Sequence, residues 1–224
     1  MIELGLPARG AGGGRPLALF VGAHCDDVEI GCGGTMLWLR ERLPGIELRW
    51  LILSSDEARR REALASARRF LGEGGEAAVR FAAFRDGFLP WQGAEVKELF
   101  ERAKHELVPD LIFTHRLEDR HQDHRLVAEL TWNTWRDQLI LEYEVPKYEG
   151  DLGHPNVFVP LSPELLERKV KGVLESYPSQ ASRRWFDEDT LRGLARLRGV
   201  EAAAPGRFAE AFHARKLVLG AGGP

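Results

Sequence analysis

Short apolar runs separated by polar, helix-forming segments give the chain its rhythm. Leu17-Ala18-Leu19-Phe20-Val21 is the first run and reads as a buried strand. Further strands are predicted at Leu48 to Leu53, Val79 to Phe84, Asp110 to Thr114 and Leu139 to Val145. Helical patterns fall between them, at Met36 to Leu43, Glu57 to Leu71, Val96 to Leu107 and Gln122 to Trp135. Asp56 is placed to cap the second helix, Gly72 to stop it, and Pro109 to end the third. Strand–helix alternation of this kind predicts a Rossmann-like α/β fold, a mostly parallel sheet with helices on both faces.

The last third is less regular. Pro146 to Pro160 reads as loop with one short strand, Asn156 to Val159. Ser162-Pro163-Glu164 opens a helix that reaches about Ser176, with a cap and a proline at the first helical position. Another helix spans roughly Asp187 to Leu197, and Ala209 to Leu219 closes the chain, ending in a strand. Residues 1–16 are Gly-rich and read as an N-terminal arm, mobile from Gly10 to Arg15; residues 17–224 read as one α/β domain with no linker long enough to divide it.

Composition narrows the class. With 224 residues and 44% hydrophobic content the chain can bury a real core. No apolar run approaches the ~18 residues of a membrane helix, and the N-terminus lacks the apolar stretch of a signal peptide. Two cysteines give no disulfide framework, so a cytoplasmic location is expected. A net charge of −3 argues against nucleic acid as a partner. A homo-oligomer is expected.

The chemistry concentrates where strands hand over to helices. His24-Cys25-Asp26-Asp27 follows the first run, and His115-Arg116-Leu117-Glu118-Asp119-Arg120-His121-Gln122-Asp123-His124 follows Leu111-Ile112-Phe113. Four of the seven histidines therefore lie just after predicted strands. In an open α/β sheet that is where ligands bind. Adjacent carboxylates repel, and a cation or a division of labour relieves the repulsion. His and Asp are zinc ligands, and a catalytic zinc keeps one position open for water. Spacing alone leaves open whether Asp26 or Asp27 is the ligand.

Together the two stretches resemble the His-Pro-Asp-Asp and His-x-x-x-Asp-x-His-x-Asp-His signatures of the LmbE-like, PIG-L-type zinc de-N-acetylases. Cys25 stands where that family usually has proline. Tyr177-Pro178-Ser179-Gln180 and Ala209-Glu210-Ala211-Phe212 resemble later motifs of the same family, carrying the likeness from about Leu17 to Leu217. The resemblance implies one zinc per chain on His24, Asp27 and His124, with Fe²⁺ or Co²⁺ as alternatives. It implies Asp26 as general base, His121 as oxyanion stabiliser or acid, and Asp123 as the partner that keeps His121 cationic. His115 and Asp119 match the motif as supporting or structural residues. The Arg-rich start of the second helix makes Arg59 and Arg60 the candidates for gripping substrate.

The implied reaction removes an N-acetyl group from an N-acetylglucosamine-type small-molecule conjugate, releasing acetate and an amine. A metallohydrolase of a non-sugar amide and a non-catalytic sugar-binding protein are the alternatives. Gly31, Gly33 and Gly34 are a poor match to a phosphate loop and are expected to let a helix pack closely on the sheet. Cys25 is expected to point away from the metal. Glu142 to Tyr148 suits a sugar-binding rim. Trp91, Trp132 and Trp135 could serve likewise, but core packing is the expectation for them.

Overall fold

Among the described residues five parallel strands form the body of the sheet, and an antiparallel pair of strands extends one edge. In this computed structural model, which describes Glu3, Gly5, Leu6 and residues 13–218, the strands are β1 (Leu17–Gly22), β2 (Glu47–Ile52), β3 (Val79–Phe81), β4 (Leu111–Thr114), β5 (Leu139–Tyr143), β6 (Val157–Leu161) and β7 (Phe208–Ala214). Their order is β3-β2-β1-β4-β5-β7-β6. β1 to β5 run parallel; β7 pairs antiparallel with both β5 and β6. Part of the mobile-arm reading, residues 10–12, lies outside the described residues, as does Leu219 at the chain's end. Gly13 and Gly14 are exposed.

Among the described residues six helices flank the sheet: α1 (Asp27–Arg42), α2 (Glu57–Leu71), α3 (Gly93–Glu106), α4 (Gln122–Thr134), α5 (Pro163–Ser176) and α6 (Glu188–Glu201). Strand side chains alternate between faces. Ala18 and Phe20 of β1, with Trp50, Phe113 and Tyr143, join the core under α1, α2, α5 and α6. Leu19 and Val21, with Leu51, Ile112 and Ile140, join the core under α3 and α4. Local capping matches expectation. The Asp56 carboxylate accepts the Arg59 N–H, the Ser162 hydroxyl accepts the Leu165 N–H, and Gly72 ends α2 with φ at 91°.

One boundary differs, and it matters for the site. The glycine-rich stretch belongs to α1, which begins at Asp27 and not near Met36. Glycine disfavours helix in isolation, but here closeness decides. A Cβ at Gly31 would run into the Tyr143 ring, one at Gly33 into Phe70 and one at Gly34 into Leu161. The helix also accepts a wedge. Glu210 of β7 takes the N–H groups of Gly34 and Thr35 at 2.8 and 2.6 Å, while Lys169 of α5 donates to the Ile30 carbonyl at 2.7 Å and pairs with Glu210 at 2.6 Å. A buried ion pair thus ties α1 to α5 and β7, and fixes the helix whose first turn carries Asp27.

The chain goes outward from β1 through β2 to β3 and then returns to the other side of β1 for β4. That reversal opens a crevice at the carboxyl ends of β1 and β4. Register pairs Phe20 with Phe113, so the His24 and His115 segments leave the sheet side by side.

Candidate metal centre

The turn between β1 and α1 and the loop between β4 and α4 meet over this crevice. The Ala23 N–H donates to His115 Nε2 at 3.0 Å, joining the two loops at their bases. His24 Nδ1 lies 3.3 Å from Asp27 Oδ2 and 3.2 Å from His124 Nε2, and His124 Nε2 lies 3.5 Å from Asp27 Oδ1. Two histidine nitrogens and one carboxylate therefore face a common point. Overlapping sets with the reach to hold an ion are His24, His121 and His124; Asp27, His115 and His124; and His24, Asp86 and Asp123. The set expected from sequence runs across the first two.

The outer nitrogens are held by carboxylates. His124 Nδ1 is 2.9 Å from Asp119 Oδ2; His24 Nε2 is 3.3 Å from Asp123 Oδ2 and 3.0 Å from Asp86 Oδ1. A carboxylate draws the ring proton to the nitrogen it faces and leaves the other nitrogen's lone pair pointing inward, the arrangement that orients histidine ligands of metals. Two such nitrogens beside a carboxylate can share a proton or a metal ion, and this donor set fits a divalent ion.

Charge tells the same story. Burial would push Asp27 up, but His124, His115 and His24 hold it well below the ordinary carboxylate range. Burial would push His24 and His124 down. Asp27, Asp123 and Asp86 hold His24 well above its usual value, and Asp27 and Asp119 raise His124. The anionic surplus that keeps protons on these rings also favours a metal in their place.

Asp26, 5% exposed, pairs with Arg59, Oδ1 to Nη2 at 2.7 Å. Burial raises its pKa, Arg59 opposes the rise and Asp27 adds to it. Arg59 is further fixed by Glu62 at 3.1 Å, by the Ser179 hydroxyl at 3.0 Å and by the Tyr177 ring 5.1 Å beneath it. The Ser-Gln segment after α5 is thereby brought to the site. Tyr177 itself donates to the Cys25 carbonyl and to Glu29, whose buried carboxyl is pushed up to about 8. Arg60 goes elsewhere: it is exposed, with its guanidinium 4.9 Å over Phe81. Cys25 also points away, its thiol donating to the Ser54 carbonyl at 3.6 Å and pushed by burial up to about 12.

Two expectations change. Asp123 was expected to hold His121, but its carboxylate accepts the N–H groups of Gly87 (2.8 Å) and Leu89 (3.1 Å) and touches His24. His121 caps the N-terminus of α4 with its ring edge-on to His24 at 5.0 Å and its Nδ1 without a hydrogen-bond partner. Burial, then His124 and His24, lower its pKa and outweigh Asp27 and Asp123, which raise it. The i, i+2 step from 121 to 123 turns the two side chains to different sides of the helix start.

The segment from Glu142 to Val145 is not a rim. Glu142, Tyr143, Glu144 and Val145 are buried, and Lys147 turns inward to donate to Asp119 at 3.0 Å and to both oxygens of Asp151 at 2.8 Å. Tyr143 donates to the Val21 carbonyl at 2.7 Å and sits 3.1 Å from His115 Nε2. Burial and His124 push His115 down to about 4, which leaves it neutral at pH 7, stacked on His124 with ring centroids 3.8 Å apart. Sequence reading missed Asp86 and Lys147 as supports. An Asp-Gly pair after a strand reads as a turn, and a lysine in a Pro-rich loop reads as solvated.

A metal-ready cluster at the switch point of a parallel sheet defines a class of α/β metalloprotein. The family model PIG-L: GlcNAc-PI de-N-acetylase matches residues 19–135, just over half of the chain, and the chain belongs to that family. Solved structures share the fold. N,N'-diacetylchitobiose deacetylase from Pyrococcus horikoshii is 22% identical, with 88% of this chain and 83% of that one covered at a TM-score of 0.67. The zinc-inhibited form of teicoplanin deacetylase Orf2 is 15% identical over 88% and 97%, TM-score 0.69. GalB, the 4-carboxy-2-hydroxymuconate hydratase of Pseudomonas putida KT2440, is 19% identical over 93% and 100%, TM-score 0.70. The last is a reminder that this fold serves more than one reaction. Among the described residues no helix is long and apolar enough to cross a membrane.

Proposed function

We propose that the chain is a zinc-dependent hydrolase that removes the N-acetyl group of an N-acetylglucosamine-type conjugate. The observation that carries this is the donor spacing. His24 Nδ1 and His124 Nε2 lie 3.2 Å apart, and the Asp27 carboxylate reaches the first through Oδ2 at 3.3 Å and the second through Oδ1 at 3.5 Å. Tetrahedral zinc with bonds of ~2.0–2.1 Å requires edges of about 3.3 Å, which the nitrogen–nitrogen separation matches, with a carboxylate oxygen beside each nitrogen. Membership of a de-N-acetylase family supports the choice of reaction.

His24, Asp27 and His124 are the ligands in this reading, oriented by Asp123 and Asp119. A bound zinc supplies a water of lowered pKa and a Lewis acid beside the amide carbonyl. Asp26, kept in place by Arg59, takes the proton from the attacking water and returns it to the departing nitrogen. Its raised pKa suits both halves of that task. His121 donates a hydrogen bond to the oxygen that becomes negative; a neutral imidazole has one N–H for this and need not be cationic. Acetate and a free amine leave. Arg59 is the arginine that reaches the site, and Arg60 takes no part.

The test is metal content by elemental analysis together with acetate release from a panel of N-acetylglucosamine derivatives and non-sugar acetamides. One zinc per chain and zinc-dependent release confined to the sugars are expected. Release from the acetamides alone replaces the sugar by another amide; absence of metal from wild type and a His124→Ala variant alike removes the basis of the proposal.

A further inference from the structure

Asp26 stands at the N-cap of α1, yet its carboxylate makes no capping hydrogen bond. Its carbonyl joins the helix, accepting the Ile30 N–H at 3.1 Å, while the side chain turns to Arg59. The helix therefore does not hold the carboxylate, and something else must. We infer that Tyr177 is a positioning residue for Asp26, holding both the peptide that leads into it and the guanidinium that pairs with it. This rests on Asp26 being the base of the proposed hydrolysis, and adds to that reading a residue that acts through the base.

Two contacts of one side chain carry the inference. The Tyr177 hydroxyl donates to the Cys25 carbonyl. That carbonyl belongs to the peptide joining Cys25 to Asp26, so fixing it fixes the backbone rotation on the near side of Asp26. The face of the Tyr177 ring lies beneath Arg59, with the guanidinium carbon 5.1 Å from the ring centroid. Two residues on, the Ser179 hydroxyl accepts from Arg59 at 3.0 Å and is itself held by Glu62, which takes the Ser179 hydroxyl at 2.7 Å and its N–H at 2.9 Å. Held on its face and at one edge, the guanidinium presents Nη2 to Asp26 Oδ1 at 2.7 Å. Backbone and counter-ion of Asp26 thus converge on the segment that follows α5.

Packing alone does not call for a tyrosine here. Tyr177 is fully buried, and phenylalanine would fill the same space. A buried hydroxyl is unfavourable unless it is hydrogen-bonded. Its partners are the Cys25 carbonyl on one side and Glu29 on the other, and Glu29 in turn is bonded to Ser66 of α2. Glu29 and Ser66 are also fully buried. A polar chain therefore runs from α2 through α1 to the end of α5 and finishes on the peptide before Asp26. Hydrogen-bonded chains of this kind rigidify a core. Rigidity matters at this place, because a misplacement of ~1 Å at a reacting group can lower a rate on the order of 10²-fold.

The experiment measures kcat, KM and zinc content of Tyr177→Phe and Ser66→Ala, each alone and combined with Asp26→Asn, and determines the crystal structures of wild type and the two single variants. Tyr177→Phe keeps the ring under Arg59 and loses only the hydroxyl. It is expected to lower kcat roughly tenfold, with KM and zinc content unchanged. Ser66→Ala loosens the same chain further out and is expected to lower kcat about two- to threefold. On the Asp26→Asn background each change should have less than about a 1.5-fold effect, because the group through which it acts is gone. Equal losses in both backgrounds make Tyr177 a structural residue and overturn the inference. So do an unchanged kcat in Tyr177→Phe, a loss carried by KM, and a loss of zinc. Where Tyr177→Phe does not fold, the Ser66→Ala cycle decides by the same criterion. If wild type releases acetate from no substrate, the deacetylase reading falls and the crystal structures decide. A displaced Asp26 carboxylate or a turned Cys25 peptide sustains the positioning role, and an unmoved Asp26–Arg59 pair overturns it.

Discussion

Replacing either of the adjacent aspartates by asparagine separates their roles. Asp26→Asn removes a charge that pairs with Arg59 at 2.7 Å but makes no ion pair with the histidines of the cluster. Loss of one member of a buried pair ordinarily costs ~3–5 kcal/mol because its partner is stranded. Here Arg59 keeps Glu62 at 3.1 Å and Ser179 at 3.0 Å, and the asparagine oxygen still accepts. The expected cost is therefore about 1–2 kcal/mol, a fall in Tm of ~2–8 °C for a chain of this size. Activity should fall far more. General acid–base catalysis contributes roughly 10²- to 10⁴-fold, or ~3–5 kcal/mol of barrier. Metal content should be unchanged. Asp27→Asn has the opposite profile. Its carboxylate lies within 3.5 Å of His24, His115 and His124, so the variant should bind zinc weakly and regain part of its rate in excess zinc. The assay is kcat against added zinc, with elemental analysis and a thermal melt of each variant. Loss of zinc in Asp26→Asn with retention in Asp27→Asn would reverse the assignment. More than a tenth of wild-type kcat in fully loaded Asp26→Asn would remove Asp26 as the base.

Asp119→Asn leaves His124 Nδ1, now 2.9 Å from a carboxylate, with a weaker acceptor; zinc affinity in chelator competition should fall ~10–100-fold, and an unchanged value sinks the orienting role. Burial alone would raise Glu144, but His213 and Arg198 outweigh it and lower its pKa. Its contribution to stability is therefore complete above the ordinary glutamate value of about 4.3 and is lost as pH falls below it. Glu144→Gln should cost about 1–2 kcal/mol at pH 7, since Arg198 loses a two-point buried partner at 2.6 and 2.8 Å but keeps Glu201, and should flatten the acid fall in urea-derived stability; an acid limb identical to wild type refutes this. Gly31→Ala would drive a methyl into the Tyr143 ring and should lower stability by ~1–3 kcal/mol in the same melts, with tolerance of the change showing that α1 can move off the sheet.

The linear chain determined a good deal by itself. Apolar runs of strand length and well-marked caps gave the parallel α/β order, because capping and periodicity are local properties: α2 ends at Gly72 and α5 starts after Ser162 as read. Both clusters of histidine and aspartate were visible because each occupies one continuous turn. Tertiary structure decided the rest. The pairing of β1 with β4, which brings His24 to His124, is a contact across about a hundred residues that no local pattern encodes. The partner of each carboxylate was decided in the same way. Asp123 serves His24 and not its near neighbour His121, and Lys147 turns inward to Asp119, because hydrogen bonds are satisfied by whatever the fold places nearby and not by what lies close along the chain. The helical glycines of α1 follow the same rule. Their intrinsic preference opposes a helix, and the space left by Tyr143, Phe70 and Leu161 overrides it, since packing against neighbours outweighs a propensity of about 1 kcal/mol per residue.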